Sequence, residues 1–336
     1  MGLAGGFLFS YLKTPLPWML GPMCVCTVAA LLKAPVVGPA PIRSYMTVLL
    51  VLMLGANFTP ELLGAAGAWL VSLLCLFAYV AVTALIGIPY FRRVAGYDPV
   101  TAYFAAMPGG FGAMLVIALE MGADERRVVL AHSVRVLIIV FCLPFIMRWV
   151  FDVETGDRAA LWALQETPIG WRDVVVMLGC GAIGWPLARK CRLPAPAMLG
   201  PMCLSAAAHM TGLTSIQVPL LLVNFAQLVI GVIVGCRFVG MQRMAVLRAL
   251  YHGIGLTAIM LSVMGIFAFG LSLLTDMSLE ALILAYSPGG VAEMSIIALA
   301  TGIDVAFVTA HHILRISMIA LGAPLVFRLM GWERKP

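Results

Sequence analysis

The stretch MPGGFGAM at residues 107–114 recurs 180 residues later in the chain, as SPGGVAEM at residues 287–294. The same offset pairs the histidines at positions 132 and 312 and the arginines at positions 135 and 315. A second motif, PWMLGPM from residue 17, repeats at an offset of 179 as PAMLGPM. Self-similarity at a long, fixed period indicates a duplicated architecture. Because proline removes a backbone donor and glycine tolerates unusual backbone angles, we predict that a helix breaks at each Pro-Gly-Gly triplet.

The composition is that of an integral membrane protein. Of the 336 residues, 62% are hydrophobic and 11% are charged, and the mean hydropathy is +1.05; a soluble domain carries about 25% charged residues. The net charge of +6 does not indicate a nucleic-acid partner, because lysine and arginine occur singly or in pairs at the ends of apolar runs. Basic residues in such places orient membrane proteins. The partners that we expect are membrane lipid and a small solute, with a homodimer as the expected form if the chain self-associates.

Apolar runs bounded by charged residues, proline or glycine divide the chain into two repeats and a linker. The first repeat spans residues 1–150, the polar linker residues 151–173 and the second repeat residues 174–330. Each repeat holds six apolar segments, so the expected fold class is an all-α polytopic membrane protein. The first segment, Gly2–Leu12, is too short to cross about 30 Å of hydrocarbon, and we expect that the start of the chain is truncated or misassigned. The PWMLGPM and PAMLGPM motifs are interpreted as helix starts and close packing sites.

The interrupted segments, Pro99–Met121 and Ser278–Thr301, decide the topology. Both begin next to a predicted helix N-cap, Asp98 or Ser278. If they cross the bilayer, the repeats are parallel; if they turn back at Pro-Gly-Gly, each repeat has five spans and the repeats are inverted. Cytoplasmic loops collect lysine and arginine, and the inverted arrangement places 15 of these residues inside and 4 outside, against 10 and 9 for the parallel one. We therefore predict two inverted repeats, each of about five transmembrane helices plus a re-entrant or broken Pro-Gly-Gly helix.

Inverted repeats with broken or re-entrant helices are the architecture of secondary transporters, in which the solute binds where the helices are interrupted. A helix that starts after each triplet directs its positive end towards the solute, which favours an anion. The alternative interpretation is a packing kink in an ordinary spanning helix. The candidate solute-binding residues at the two interruptions are Pro108, Gly109, Gly110, Ser287, Pro288, Gly289 and Gly290.

Two arginines inside the predicted spans, Arg135 and Arg315, are the candidate side-chain ligands of the solute. An arginine in hydrocarbon needs a partner or a polar cavity, and its planar fork suits a carboxylate or a phosphate. The structural alternative is that Glu293 neutralises Arg315, while Arg135 bonds the carbonyl groups of a re-entrant tip.

Glu293 has no acidic counterpart in the first repeat, where residue 113 is alanine. A lone acid close to Gly290 is a candidate proton-coupling residue, and His132 and His312 are candidate proton carriers. The sequence has no HExxH motif, no Walker loop and no paired-cysteine metal spacing. We therefore predict no enzyme activity, no metal site and no cofactor.

The repeated PWMLGPM, PAMLGPM and Pro-Gly-Gly motifs resemble those of the membrane AbrB-duplication family, whose members are labelled AbrB-type regulators or ammonia monooxygenases. The resemblance covers nearly the whole chain, and the soluble DNA-binding AbrB regulators share only the name. It implies a multi-pass protein of the bacterial inner membrane with a link to the regulation of gene expression. From this resemblance and the predicted inverted repeats, we expect a proton-coupled secondary transporter of a small anionic organic solute. The alternative is a membrane regulator or sensor that affects gene expression without transport.

Overall fold

The computed structural model describes residues 1–58, 67–109, 111–152, 170–191, 193, 195–216 and 218–330. Within these ranges the chain forms α-helices and two short 3-10 turns, and no β-strand. The predicted all-helical fold class is therefore confirmed. Most of the polar linker, residues 153–169, and the predicted site residue Gly110 lie outside the described residues.

The helices of the two repeats follow one another in the same order. Those of the first repeat are α1 (Gly2–Tyr11), α2 (Pro17–Leu31), α3 (Arg43–Gly55), α4 (Leu70–Arg93), α5 (Pro99–Ala106), α6 (Phe111–Glu120) and α7 (Glu125–Val150). Those of the second repeat are α8 (Trp171–Lys190), α9 (Pro196–Met210), α10 (Leu220–Gly235), α11 (Arg243–Leu274), α12 (Leu279–Tyr286), α13 (Val291–Thr301) and α14 (Val305–Leu329). The described elements thus repeat as the sequence does.

Five helices of the described ranges are long and apolar enough to cross a membrane. They are α4, α7, α11, α14 and the segment Leu221–Phe238, which joins most of α10 to the 3-10 turn after it. Their mean hydropathy lies between 1.5 and 2.5. Helices α1, α2 and α3 have 10, 15 and 13 residues, and at 1.5 Å per residue they are shorter than the hydrocarbon layer is thick. Five spans in each repeat therefore stay a prediction.

Both Pro-Gly-Gly triplets interrupt a helix, as predicted. Helices α5 and α12 end at Ala106 and Tyr286, and the next residue in each case has an extended backbone. These residues, Met107 and Ser287, have ψ angles of 128° and 134°. Each precedes a proline, whose ring clashes with a helical conformation of the residue before it. The interruption is therefore local in origin.

The two short helices before the breaks start at the predicted N-caps. Asp98 accepts hydrogen bonds of 3.1 Å from the backbone N–H groups of Val100 and Thr101. The Ser278 hydroxyl accepts one of 3.3 Å from the N–H of Ala281. A helix of eight residues is marginal by itself, so α5 and α12 depend on these caps and on burial of nearly every side chain that they carry.

We predict a pH-dependent contribution of Asp98 to stability. Partial loss of solvation of its carboxyl group opposes ionisation, but the hydrogen bonds from Thr101 and Val100 together outweigh this and lower the pKa of Asp98. A lowered folded-state pKa gives stability that is present above the ordinary aspartate value of about 3.9 and is lost as the pH falls through the folded pKa. Asp98→Ala should cost about 1 kcal/mol at neutral pH, measured by thermal unfolding in detergent, and the difference from wild type should shrink below about pH 4.

Ser278→Ala is the matched control for this prediction, because it removes the equivalent cap of the second repeat without removing a charge. Its cost should be similar to that of Asp98→Ala at neutral pH and should not change with pH. An Asp98→Ala variant that differs from wild type by the same amount at pH 3 and pH 7 would contradict the assignment.

The chain divides into two compact units that combine residues of both repeats. The first unit comprises Met1–Ala68, Leu143–Gly240 and Ser295–Ala306, and the second comprises Trp69–Cys142, Met241–Met294 and Phe307–Pro336. The repeats of the sequence and the units of the fold are therefore different divisions of the chain. Both Pro-Gly-Gly triplets and both candidate arginines belong to the second unit.

In the first unit, α1 packs on α2 and α8 packs on α9 through facing glycines. A methyl group on Gly5 would lie 2.7 Å from the carbonyl carbon of Gly21, and one on Gly184 would lie 2.7 Å from that of Gly200. These distances leave no room for a side chain, so the backbones are in direct contact, as small residues allow in membrane proteins. Because Gly21 and Gly200 belong to the PWMLGPM and PAMLGPM motifs, the interpretation of these motifs as close packing sites is confirmed.

In the second unit, the start of α5 lies beside the end of α6. The Thr101 hydroxyl, in the first turn of α5, accepts a hydrogen bond of 2.9 Å from the N–H of Asp124, which follows α6. The Arg127 guanidinium, at the start of α7, donates to the carbonyl oxygen of Gly96 at 3.3 Å. The two ends of the α5–α6 segment therefore meet.

Candidate functional site

Arg315 is buried and holds the extended segment between α12 and α13. It lies on α14 and only 1% of it is exposed. Its Nη1 donates to the carbonyl oxygen of Ser287, and its Nη2 donates to that of Gly289 at 2.8 Å. Nη2 also donates to Nδ1 of His312 at 2.9 Å. We call Arg315 and His312 the second clamp.

The first repeat contains the same construction, which we call the first clamp. Arg135, on α7, is 3% exposed. Its Nη1 donates to the carbonyl oxygen of Met107 at 2.9 Å, and its Nη2 donates to Nδ1 of His132 at 2.9 Å. Met107 and Ser287 are equivalent residues at the offset of 180. The duplication seen in the sequence therefore extends to the individual hydrogen bonds of the two helix breaks.

The hydrogen bonds of the clamps define the state of both histidines. Nε2 of His132 lies 2.9 Å from the carbonyl oxygen of Phe104, and Nε2 of His312 lies 3.0 Å from that of Leu284. A carbonyl oxygen only accepts and a guanidinium only donates, so each histidine carries its proton on Nε2 and accepts on Nδ1. For either histidine to take up a further proton, its arginine must first release Nδ1. The role of His132 and His312 as proton carriers stays a prediction.

Neither clamp arginine forms an ion pair with a carboxylate in the described part of the chain. Glu293, the neutralising partner considered for Arg315, is buried but not ion-paired with it. The bond from Arg135 to the Met107 carbonyl is the kind that the structural alternative expects. That alternative leaves the Nε–H groups of Arg135 and Arg315 unexplained, since both are buried and have no hydrogen-bond partner among the described residues.

The carboxylate of Glu293 lies against the backbone of Gly290. Glu293 is in the first turn of α13, and a methyl group on Gly290 would overlap its Oε2 atom. A negative charge in the first turn of a helix is favourable. The residue is 8% exposed, so it is buried at the edge of the second helix break.

The remaining predicted site residues have different surroundings. Pro108, Ser287 and Pro288 are buried, and the Ser287 hydroxyl donates to the carbonyl oxygen of Leu284 at 2.9 Å. Gly109 and Gly289 are half-buried. A methyl group on Gly109 would lie 2.6 Å from Cγ of Met114, and one on Gly289 would lie 2.8 Å from Cε of Met294. The methionine that ends each motif thus packs on the second residue of the triplet.

The comparison with protein families agrees with these motifs. A family model described as "Transition state regulatory protein AbrB" matches residues 18–331. The chain belongs to this family.

Two bacterial proteins match almost the whole chain. The YhjN protein of Bacillus subtilis (strain 168) is 25% identical over 351 residues, which cover 97% of this chain and 90% of that protein. A proposed regulator named AbrB from Escherichia coli (strain K12) is 26% identical over 338 residues, which cover 98% of this chain and 93% of that protein. The name of the second relative describes it as a regulator.

In this AbrB-family chain, the sequence did not point to Tyr79 as a site residue. Tyr79 lies on α4 with no exposed surface, and its ring contacts Phe267 and Tyr286 edge-on, with ring centres 5.7 and 5.3 Å apart. Its hydroxyl has no hydrogen-bond partner among the described residues and interacts electrostatically with Arg135 and Arg315. The equivalent position in the second repeat, 259, is isoleucine, so the repeat gave no signal. The only signal in the sequence was a hydroxyl group inside an apolar span.

Proposed function

We propose that this AbrB-family protein is a bacterial inner-membrane secondary transporter of a small organic anion. The observation that carries the proposal is the pair of clamps: two buried arginines, at equivalent helix breaks, with no described carboxylate paired to either. A charged arginine in the hydrocarbon layer costs at least a few kcal/mol unless it is neutralised. An organic anion would supply the negative charge and accept the unused Nε–H groups.

The proposed re-entrant hairpin is supported by the contacts at the ends of α5 and α6. In one continuous helix, Thr101 and Asp124 would be about 34 Å apart, at 1.5 Å per residue. Instead, the Thr101 hydroxyl and the Asp124 N–H are 2.9 Å apart. A chain that enters and leaves at the same place fits a segment that returns to the side of the membrane from which it came.

The proposed count of crossings is supported by a contact in the first compact unit. Nη1 of Arg148, at the end of α7, donates to the carbonyl oxygen of Lys13, which follows α1, at 2.6 Å. Two residues in contact lie on the same side of a membrane, so an even number of crossings must separate them. In the proposed topology, α2, α3, α4 and α7 make four crossings. A fifth crossing by α5 and α6 would put Arg148 and Lys13 on opposite sides.

The experiment that tests the proposal is uptake into liposomes. Purified protein, reconstituted with a proton gradient across the membrane, should accumulate at least one labelled organic acid from a panel of mono-, di- and tricarboxylates. The second candidate function is a membrane sensor, which the description of the Escherichia coli relative as a regulator favours. A sensor would bind an acid of the panel in a thermal-shift assay and show no accumulation in liposomes.

We predict that Glu293→Gln uncouples uptake from the proton gradient. The variant should lose gradient-driven accumulation, by at least about tenfold, while exchange of labelled for unlabelled solute continues, because exchange needs no net proton movement. Glutamine keeps the size of the side chain and removes the site of protonation. The control is Glu280→Gln in the first turn of α12, which should behave as wild type. Unchanged accumulation by Glu293→Gln would remove Glu293 from the coupling mechanism.

A further inference from the structure

We infer that Tyr79 binds the solute together with the two clamp arginines, Arg135 and Arg315, and that this solute carries two negative charges. The inference rests on the proposed function and names the chemistry that the same site would recognise. The inference is based on three buried donor groups in the second compact unit. They are the Nε–H groups of Arg135 and Arg315 and the hydroxyl of Tyr79.

Other buried side-chain atoms of this unit also lack a partner, among them the hydroxyls of Ser133 and Thr257, but these three donors belong to the two clamp arginines and to the tyrosine that contacts Tyr286. Arg135 and Arg315 use their Nη atoms on backbone carbonyls and on His132 and His312. Their Nε atoms and the Tyr79 hydroxyl are buried without a partner among the described residues. Folded proteins pair nearly all buried polar groups, so each exception needs an explanation. The Tyr79 ring contacts Tyr286, which precedes the Ser287 carbonyl that Arg315 bonds, and the three groups interact electrostatically with one another. Three exceptions placed in this way have one explanation in common, which is an acceptor-rich anion.

The charge of the site indicates how many negative charges the solute carries. The guanidinium group is permanently charged in proteins, so the two clamps contribute two positive charges. No carboxylate of the described ranges is ion-paired with either, and the Glu293 carboxylate lies against Gly290. Because Glu293 is paired with neither arginine, a singly charged anion would leave one of the two without an ion-pair partner in a buried site. A dicarboxylate or a phosphate dianion neutralises both and provides enough oxygen atoms for all three donors.

Tyr79 and its neighbour Tyr286 form a natural pair of test and control. Their rings are in edge-on contact, 5.3 Å apart, and neither has exposed surface. The Tyr286 hydroxyl donates to the backbone carbonyl of Ser72, whereas the Tyr79 hydroxyl has no such partner. Replacement by phenylalanine removes one oxygen atom from each and keeps the ring packing. The two variants therefore differ mainly in which hydroxyl is lost.

The experiment measures binding of succinate, inorganic phosphate and acetate to the full-length protein in detergent by titration calorimetry, with thermal unfolding of the free protein. We expect succinate or phosphate to bind wild type at least about tenfold more tightly than acetate. Tyr79→Phe should lower the affinity for the dianion that binds more tightly by about tenfold, as loss of one hydrogen bond to a charged group does. It should not lower the Tm of the free protein. Tyr286→Phe should lower that Tm and leave the affinity within about twofold of wild type.

Each result decides a different part of the inference. Preference for succinate assigns a dicarboxylate, and preference for phosphate assigns a phosphate compound. Acetate binding as tightly as both, or no binding of any of the three to wild type, would overturn the assignment of a dianion; the liposome assay judges the proposed function separately. Equal affinity of wild type and Tyr79→Phe, or equal losses in Tyr79→Phe and Tyr286→Phe, would overturn the role of Tyr79 and leave the proposed function standing.

Discussion

Arg135→Ala and Arg315→Ala should each weaken anion binding by at least about thirtyfold, while the variants remain inserted and monodisperse. Removing one partner of a buried, hydrogen-bonded charge pair costs about 2–5 kcal/mol, and 2 kcal/mol corresponds to about thirtyfold in affinity. Binding is measured by titration calorimetry with whichever organic acid gives the largest uptake. Both variants should also have a lower Tm, because the arginines bond the carbonyl groups of Met107, Ser287 and Gly289.

Arg127→Ala is the control on the same helix as Arg135. Arg127 pairs with Asp124 at 3.4 Å, and both side chains are nearly half exposed. Because an exposed pair of this kind contributes about 0–1 kcal/mol, this variant should bind the anion as wild type does. Aggregation of both clamp variants, with Arg127→Ala monodisperse, would show that the arginines serve structure alone. The interpretation of the clamps as a solute site would then be wrong.

Replacing Gly200 with valine should have the largest effect on stability of any single change discussed. The variant places three carbon atoms where the backbone of Gly184 lies, and a methyl group on Gly200 would already be 2.8 Å from Cβ of Ala188. Helices α8 and α9 would have to separate, and because backbone meets backbone here we expect a cost at the upper end of the typical range for overpacking, about 3 kcal/mol. We expect a large loss of monodisperse protein in size-exclusion chromatography and a fall in Tm of the fraction that remains.

Gly179→Ala provides the matched control, because Gly179 lies on α8 with no heavy atom within 4 Å of its Cβ position. Alanine is favoured over glycine in a helix by about 1 kcal/mol, so this variant should be as stable as wild type or more stable. The equivalent change in the first repeat, Gly21→Val, should repeat the effect of Gly200→Val, since Gly21 contacts Gly5 in the same way. A Gly200→Val variant with the Tm of wild type would contradict direct contact between the two backbones.

The features that were predicted correctly from the sequence are local or repeated. The helix breaks follow from a proline that constrains the residue before it, and the caps at Asp98 and Ser278 follow from side chains that reach the next turn of the same helix. The pairing of His132 with Arg135 was visible because residues three apart share a helix face. Each of these inferences depends only on residues that are close along the chain, or on a local pattern that the second repeat also contains.

The sequence by itself therefore determined the duplication, the membrane character and the places where the helices are interrupted, because these depend on composition and on short-range sterics. Only the tertiary structure decided which atoms meet across the breaks. Arg315 lies 28 residues beyond the Ser287 carbonyl that it bonds, Gly200 faces Gly184 from another helix, and Tyr79 lies on α4, far along the chain from both clamps. Such contacts depend on how whole helices pack. The sequence around Tyr79 is apolar, so the neighbours of its hydroxyl could not be predicted before the packing was known.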